Sequence, residues 1–463
     1  MKEGSGPQLI SSERGAPMRR IFLAACAAVL FAAACTAGGG TSSSPTVVHT
    51  IDPNVSHQPV TLVVWDWFRQ RELENLQQIT AAFEQQYPWI TLQFVPGKHT
   101  GEYVRAINAD VPIDVAIDWG PDNIGKYCST GAWVDLAPYI KAYGLDMDAL
   151  FPGSALTYTR YGGAQCSLPV LTDAYGLYYN KDMFAEAGIP GPPKTLSELT
   201  EDAKKLTELN PDGSIKVAGF VPISTFYENP NLYDGNPWGA QWYQDDGSSA
   251  FASDPAWAEM AQWDKELTDW YGYDKLQTFY EDIGGPDSEW SSAHAFEQGK
   301  IAMHYDGEWR VSFIDNDNAS VNYGTAPFPV ADDKPDLYGS GQVGGTIIGI
   351  PRTAEHPDEA WLLVQWLSTQ TKPLNQLADL LKNVPTTKES LQTTALGEDP
   401  QFEPFLGIYQ DPASYHYPLK PSGSADADAL AAFLEDWEAG DVADLQQGLQ
   451  DLAEHVDAQQ QLG

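Results

Sequence analysis

Basic side chains are scarce: 26 Lys and Arg stand against 64 Asp and Glu, for a formal net charge of −38 over 463 residues. A field of that sign repels phosphate backbones and anionic lipid surfaces, which removes the electrostatic basis for nucleic-acid binding. Cysteine is nearly absent, with four in the chain, and no second Cys or His stands at ligand spacing beside Cys128 or Cys166, so a zinc site is not expected. The eight histidines never recur at i and i+4, which excludes HExxH-type metal chemistry. No G-x-S-x-G elbow occurs, and no period of 20–50 residues repeats, so neither a nucleophile-elbow hydrolase nor a solenoid is indicated. Long apolar runs are missing too. The stretch Ile21–Ala34 is 14 residues, short of the roughly 20 that a membrane-spanning helix needs.

That short run has a different use. Arg19 and Arg20 precede it and small residues end it, the layout of a secretory signal peptide over 1–34, with Met18 an alternative start. Arg19-Arg20-Ile21-Phe22-Leu23 also resembles a twin-arginine export signal, which leaves two export routes open. Ala32-Ala33-Ala34-Cys35 resembles a bacterial lipobox and is preferred over Leu23-Ala24-Ala25-Cys26, which leaves too short an apolar core. Cys35 is therefore the expected lipid-modified residue, and the Gly/Ser/Thr-rich segment 35–59 a tether holding a folded body at the outer face of the cell membrane. An exported chain sits in an oxidising compartment, where Cys128 and Cys166 are expected to form one disulfide.

What remains is rich in core-forming residues: 43% are hydrophobic and 12% aromatic, including 15 Trp and 22 Tyr. Val60–Trp67 reads as a buried strand. Leu73, Leu76, Ile79, Phe83 and Tyr87 follow at helical spacing, with Pro88 ending the helix. Ile90–Pro96 reads as a second strand, TGEYVRAINAD as a second helix and Asp114–Gly120 as a third strand. This is the βαβαβ order of a parallel α/β layer, whose ligands bind beyond the carboxyl ends of the strands. Thr195 and Glu198 form a capping box opening the helix LSELTEDAKKLTEL. YGTAPFPV and GGTIIGIP read as strands, and Pro357–Ser368 as a strong helix with Trp361 and Trp366 in the core.

VTLVVWDW, FEQQYPWI, WVDLAPYI, LPVLTDAYGLYYNKDMFAEAGIPGPPKTLSEL, AFEQGKIAMHYDGEW and EAWLLVQWL occur in that order from about Val60 onward. Together they resemble the extracellular solute-binding proteins of family 1, the sugar-capturing lipoproteins of bacterial ATP-binding-cassette importers and distant relatives of maltose-binding protein. The resemblance implies an α/β, two-lobe periplasmic-binding-protein-like fold with discontinuous lobes joined by crossover strands and closing over a ligand by hinge motion. The first lobe would hold 60–170 and 327–370, the second 171–326 and 371–463, with crossovers near Pro169–Asp173, Tyr323–Val330 and Thr371. It also implies a monomeric binder without enzymatic activity or cofactor, whose partners are a carbohydrate and the permease subunits of an importer.

A neutral sugar presents hydroxyls at its rim and C–H patches on its faces, so a binder supplies aromatic planes and carboxylates in a preformed cleft. The strand-end rule singles out Asp118 with Trp65, Asp66, Trp67 and Trp119, and the resemblance, carried over residue by residue, implies Trp65, Asp66, Trp67 and Arg69 after the first strand and Trp119 and Asp122 after the third. It further implies Asp173 before YYNKD, Trp309 as a stacking plane with Asp306 and Glu308 beside it, Trp238 and Trp242 as a second aromatic patch, and Gly344 and Gly345 at the cleft wall. Tyr178 and Tyr179 are expected to be structural. A glycoside hydrolase wants similar residues, and so does a binder of another solute, but nothing marks one carboxylate as acid and another as nucleophile. Gly339-Ser340-Gly341-Gln342-Val343-Gly344 fits G-x-G-x-x-G yet precedes a strand, where a dinucleotide fingerprint must open a helix.

Overall fold

The computed structural model describes residue 51 and residues 53–317 and 319–460. Cys35 and the whole leader 1–34 lie outside the described residues, as does most of the tether. Strand β1 (Val60–Asp66) buries Leu62, Val64 and Asp66 on one face while the intervening residues are more exposed, so it alternates rather than being buried on both faces. It pairs in parallel with β2 (Ile90–Val95) and with β3 (Val115–Asp118). The intervening helices are Gln70–Gln86, which buries Leu76, Ile79 and Phe83, and Thr100–Asn108, which buries Tyr103, Ala106 and Ile107. The βαβαβ order thus forms as the sequence predicts.

The next strand does the joining. β4 (Leu168–Asn180) is 13 residues long and nearly all buried. Its first half pairs antiparallel with β7 (Val343–Gly349), which continues through β3 into the parallel strands. Its second half pairs antiparallel with β5 (Met303–Gly307) and β6 (Tyr323–Ala326). The short β8 (Val384–Pro385) pairs with the first half, at Thr172 and Leu171. One strand therefore carries two groups of partners, and the change from one to the other falls between Ala174 and Tyr175.

Local signals hold with one adjustment. The Thr195–Glu198 capping box is formed, but the helix it opens ends at Leu206 rather than continuing through Leu209. Glu208–Leu209 instead pairs with Ile215–Val217, because Asn210-Pro211-Asp212-Gly213 turns the chain back and the β-ladder captures the last residues. The helix Pro357–Thr369 buries Trp361 and Trp366, and Tyr178 is buried with its hydroxyl donated to the Gly307 carbonyl at 2.8 Å. No helix among the described residues is long and apolar enough to cross a membrane. The Cys128 and Cys166 sulfurs lie within bonding distance, with Cα atoms 5.7 Å apart.

Candidate functional site

Where β4 changes partners, four of the expected residues meet. Asp173 faces Gly344 across the β4–β7 register, and Glu308 follows the end of β5. The indole Nε1 of Trp119, just past β3, donates to Asp173 Oδ2 at 2.9 Å. The Asn383 side-chain amide donates to Asp173 Oδ1 at 2.9 Å and to Glu308 Oε1 at 2.7 Å. The Ala174 amide donates to Glu308 Oε2 at 2.8 Å. Thus each of the four carboxylate oxygens has a neutral donor, and among the described residues no basic side chain pairs with either acid. Burial pushes Asp173 up to about 7, opposed by its bonds to Trp119, Asn383 and Glu308. Glu308 is raised well above its ordinary range by burial and then by the Asp173 charge. Trp119 itself is 50% exposed and turns a wide aromatic surface to solvent.

Neighbouring acids of the first group are satisfied differently. Asp118 accepts from Tyr127 Oη at 2.6 Å and from Thr100 Oγ1 at 3.1 Å, and burial still raises it to about 6. Asp66 is buried at the end of β1 and rises to about 7 by burial, with the Phe68 backbone opposing. Burial raises Asp122 too, but the hydrogen bond and charge of His416, whose Nε2 lies 2.9 Å from its Oδ1, outweigh it and hold the carboxyl low. Gly344 leaves room for that histidine: a Cβ there would stand 2.9 Å from His416 Cδ2. Gly345 serves packing, since its Cβ would fall 2.7 Å from the Leu171 carbonyl oxygen.

Other expected residues lie elsewhere or face inward. Trp65 is partly buried under the Lys98 ammonium, 4.7 Å from the ring centre, and Trp67 is partly buried against Phe68. Arg69 is exposed and reaches the Gly97 carbonyl, with no contact to the Asp173 group. Trp309 is partly buried, its ring folded over Gly307, edge-on to Tyr175 at 5.4 Å and stacked on Trp290 at 6.0 Å. Trp238 and Trp242 are 2% and 3% exposed. The turn Asn236–Trp238 lies between the left-handed Gly235 and Gly239 and folds Trp238 onto Tyr233 and Trp263, while Trp242 donates its indole N–H to the Asp234 carbonyl. Both are packed in the core and present no open plane to a sugar.

Asp306 likewise turns inward, completely buried, with Arg310 Nε 2.7 Å from its Oδ2. Arg310 also reaches Glu297 Oε1 at 3.5 Å and donates to the Glu289 carbonyl at 2.8 Å. His294, His304 and Asp306 place ligand atoms within 4.8 Å of one another. However, Arg310 already holds the Asp306 oxygen they would share, and His294 Nδ1 accepts from the Phe296 amide, which leaves the proton on Nε2. This geometry supports an internal ion-pair cluster rather than a cation site.

Residue patterns did not mark Asn383, His416, Tyr175, Trp290, the partly buried Glu228 or the buried Glu289. Glu228 and Glu289 hydrogen-bond to one another, and burial raises both, Glu289 to about 7. Asn383 sits between Lys382 and Val384 with no periodic or motif signal. Only the return of β8 to β4 brings it to Asp173.

A family model for bacterial extracellular solute-binding proteins matches residues 70–371. The maltotriose-binding protein of Pyrococcus abyssi is 24% identical over 382 residues, covering 79% of this chain and 74% of that one. Among solved structures, CpMnBP1 with mannotriose bound superimposes with a TM-score of 0.72 at 24% identity, covering 85% of this chain and 99% of its own. The cyclic alpha-maltosyl-1,6-maltose binding protein of Arthrobacter globiformis gives 0.69 at 21% identity, covering 88% and 100%. These structures share the two-lobe α/β fold. The chain belongs to the bacterial extracellular solute-binding proteins.

Proposed function

We propose that this protein captures a neutral sugar or oligosaccharide between two lobes and hands it, chemically unchanged, to the permease of an ATP-binding-cassette importer. The observation that carries the reading is the half-exposed Trp119 ring bonded to Asp173 beside Glu308. It joins a stacking plane to a pair of buried carboxyl groups that can exchange hydrogen bonds with sugar hydroxyls. The partly buried Trp309 and Trp290 offer further aromatic surface past the change of partners on β4, and Asp122 and His416 a polar edge. The names of the relatives, which bind maltotriose, mannotriose and a cyclic maltose derivative, support the same ligand class. Trp238, Trp242, Asp306 and Arg69 are left out of this site, since the first three face inward and the fourth lies apart.

The partition into lobes at 60–170 with 327–370, and 171–326 with 371–463, is part of the proposal. It is supported by the two partner groups of β4, which would make that strand the principal crossover. The reading extends to an extracytoplasmic body anchored through Cys35 and stapled by Cys128–Cys166. A thermal-shift screen of the mature body against mono-, di- and oligosaccharides tests it. A ligand at about 100 times its dissociation constant adds roughly 2.7 kcal/mol, a readily measured rise in melting temperature.

A further inference from the structure

The acceptors of this site are gathered by a residue that itself comes from a distant part of the chain. The helix Thr371–Leu381 ends on Lys382 in the left-handed conformation, φ 57°. That conformation is uncommon for a residue with a long side chain, and such strain persists where the surroundings over-determine it. It turns the chain directly into β8, whose Val384 pairs with Thr172. One register position further along, Asn383 lies beside Asp173. Its amide nitrogen has two hydrogens and uses one for each acid, at 2.9 Å to Asp173 and 2.7 Å to Glu308. Asp173, inside β4, and Glu308, just past β5, are 135 positions apart in sequence, and the one Asn383 side chain bonds to both.

We propose that Asn383 is a positioning residue that joins Asp173 and Glu308 into one acceptor face for ligand hydroxyls. The ligand class is taken from the carbohydrate reading above, whereas the joining of the two acids stands on its own. The other donors differ in kind. The Ala174 amide is fixed in a strand, and Trp119 is half exposed and free to exchange its bond for a ligand's. Asn383 is the donor that reaches both acids at once. Titratable groups facing the pair are Tyr158, Tyr175 and Tyr178, which burial keeps neutral far above the working range, and behind them Glu228 and the Asp306–Arg310 ion pair.

A neutral donor favours the ionised form of an acid, so its removal must hurt more as pH rises. In the ligand-free mature protein, the melting temperature of Asn383→Ala should fall below wild type by a margin that widens from pH 5 to pH 8. In an Asp173→Asn, Glu308→Gln background the margin should stop depending on pH. Asn383→Asp keeps the shape and, while protonated, one donor. It should fold at pH 5 and show a larger deficit than Asn383→Ala at pH 8, so the test survives even if the alanine variant is unstable. A margin equal at both pH values, or one that persists unchanged in the amide background, overturns the positioning role. With maltotriose and mannotriose as probes, Asn383→Ala should weaken whichever wild type binds by about tenfold or more. If wild type binds no sugar, the carbohydrate reading fails while the pH arm still decides the role of Asn383.

Discussion

Two groups of buried acids lie near the point between Ala174 and Tyr175 where β4 changes partners, and they are neutralised in opposite ways. Asp306 has a cation of its own: Arg310 is completely buried against it and touches Glu297 and the Glu289 backbone as well. Asp173 and Glu308 have only neutral donors, one of them on a half-exposed indole. A buried charge with a dedicated partner has no capacity left for a ligand, and removing either member leaves the other stranded. A buried pair with one of its donors on a half-exposed indole can exchange that bond for a ligand's. Proximity to the GEW motif therefore does not make an acid a ligand residue, whereas its partners do.

Breaking the first group should give the largest effect. Arg310→Leu strands Asp306 among other acids and should cost about 3–5 kcal/mol of stability in urea unfolding. A loss below 1 kcal/mol would show that the cluster is protonated and indifferent to its cation. Trp238→Ala should also cost about 3–5 kcal/mol of stability, by the same measurement, because that ring is packed and not presented. A sugar affinity reduced without loss of stability would instead put Trp238 back in the site.

The staple comes next. Thirty-eight positions separate Cys128 and Cys166, for which loop entropy suggests roughly 4 kcal/mol of stabilisation. Thiol counting in the unreduced, denatured mature protein should find neither cysteine free, and reduction should lower the unfolding midpoint. Two free thiols contradict the bridge.

A smaller effect separates the groups by pH. Asp173 is raised to about 7, so the folded form holds a proton that the unfolded chain, near 4, has already lost. Its stabilising share is therefore complete below pH 4 and declines as pH rises through 7. Asp173→Asn should flatten that decline in melting temperature between pH 4.5 and 7.5. An unchanged slope would assign the pH dependence to other raised acids such as Asp66 and Asp234.

Much of this was legible from pattern. Strand alternation, helical spacing and the Thr195 capping box have local causes, and β1 through β3 form where those causes put them. Trp119 was legible as a candidate because it lies just past a strand end, whereas Asp173, inside β4, and Glu308 were picked out only by their places in TDAYG and GEW, through the family resemblance. Trp238 and Trp242 misled for the opposite reason. Their segment is a turn between glycines, and a Trp-rich turn reads the same whether its rings point in or out. Asn383 was invisible because nothing local distinguishes it, and its role arises from the pairing of β8 with a strand more than 200 residues earlier.

The most direct test is calorimetric titration of the mature protein and of Trp119→Ala with maltotriose, mannotriose and their shorter homologues, followed by analysis of the recovered sugar. The expected result is reversible binding of intact sugar by wild type. In Trp119→Ala, affinity should drop roughly 30-fold, as for a buried aromatic anchor, with the melting temperature nearly unchanged. Cleavage of the sugar, or equal affinity in the two proteins, would contradict the account.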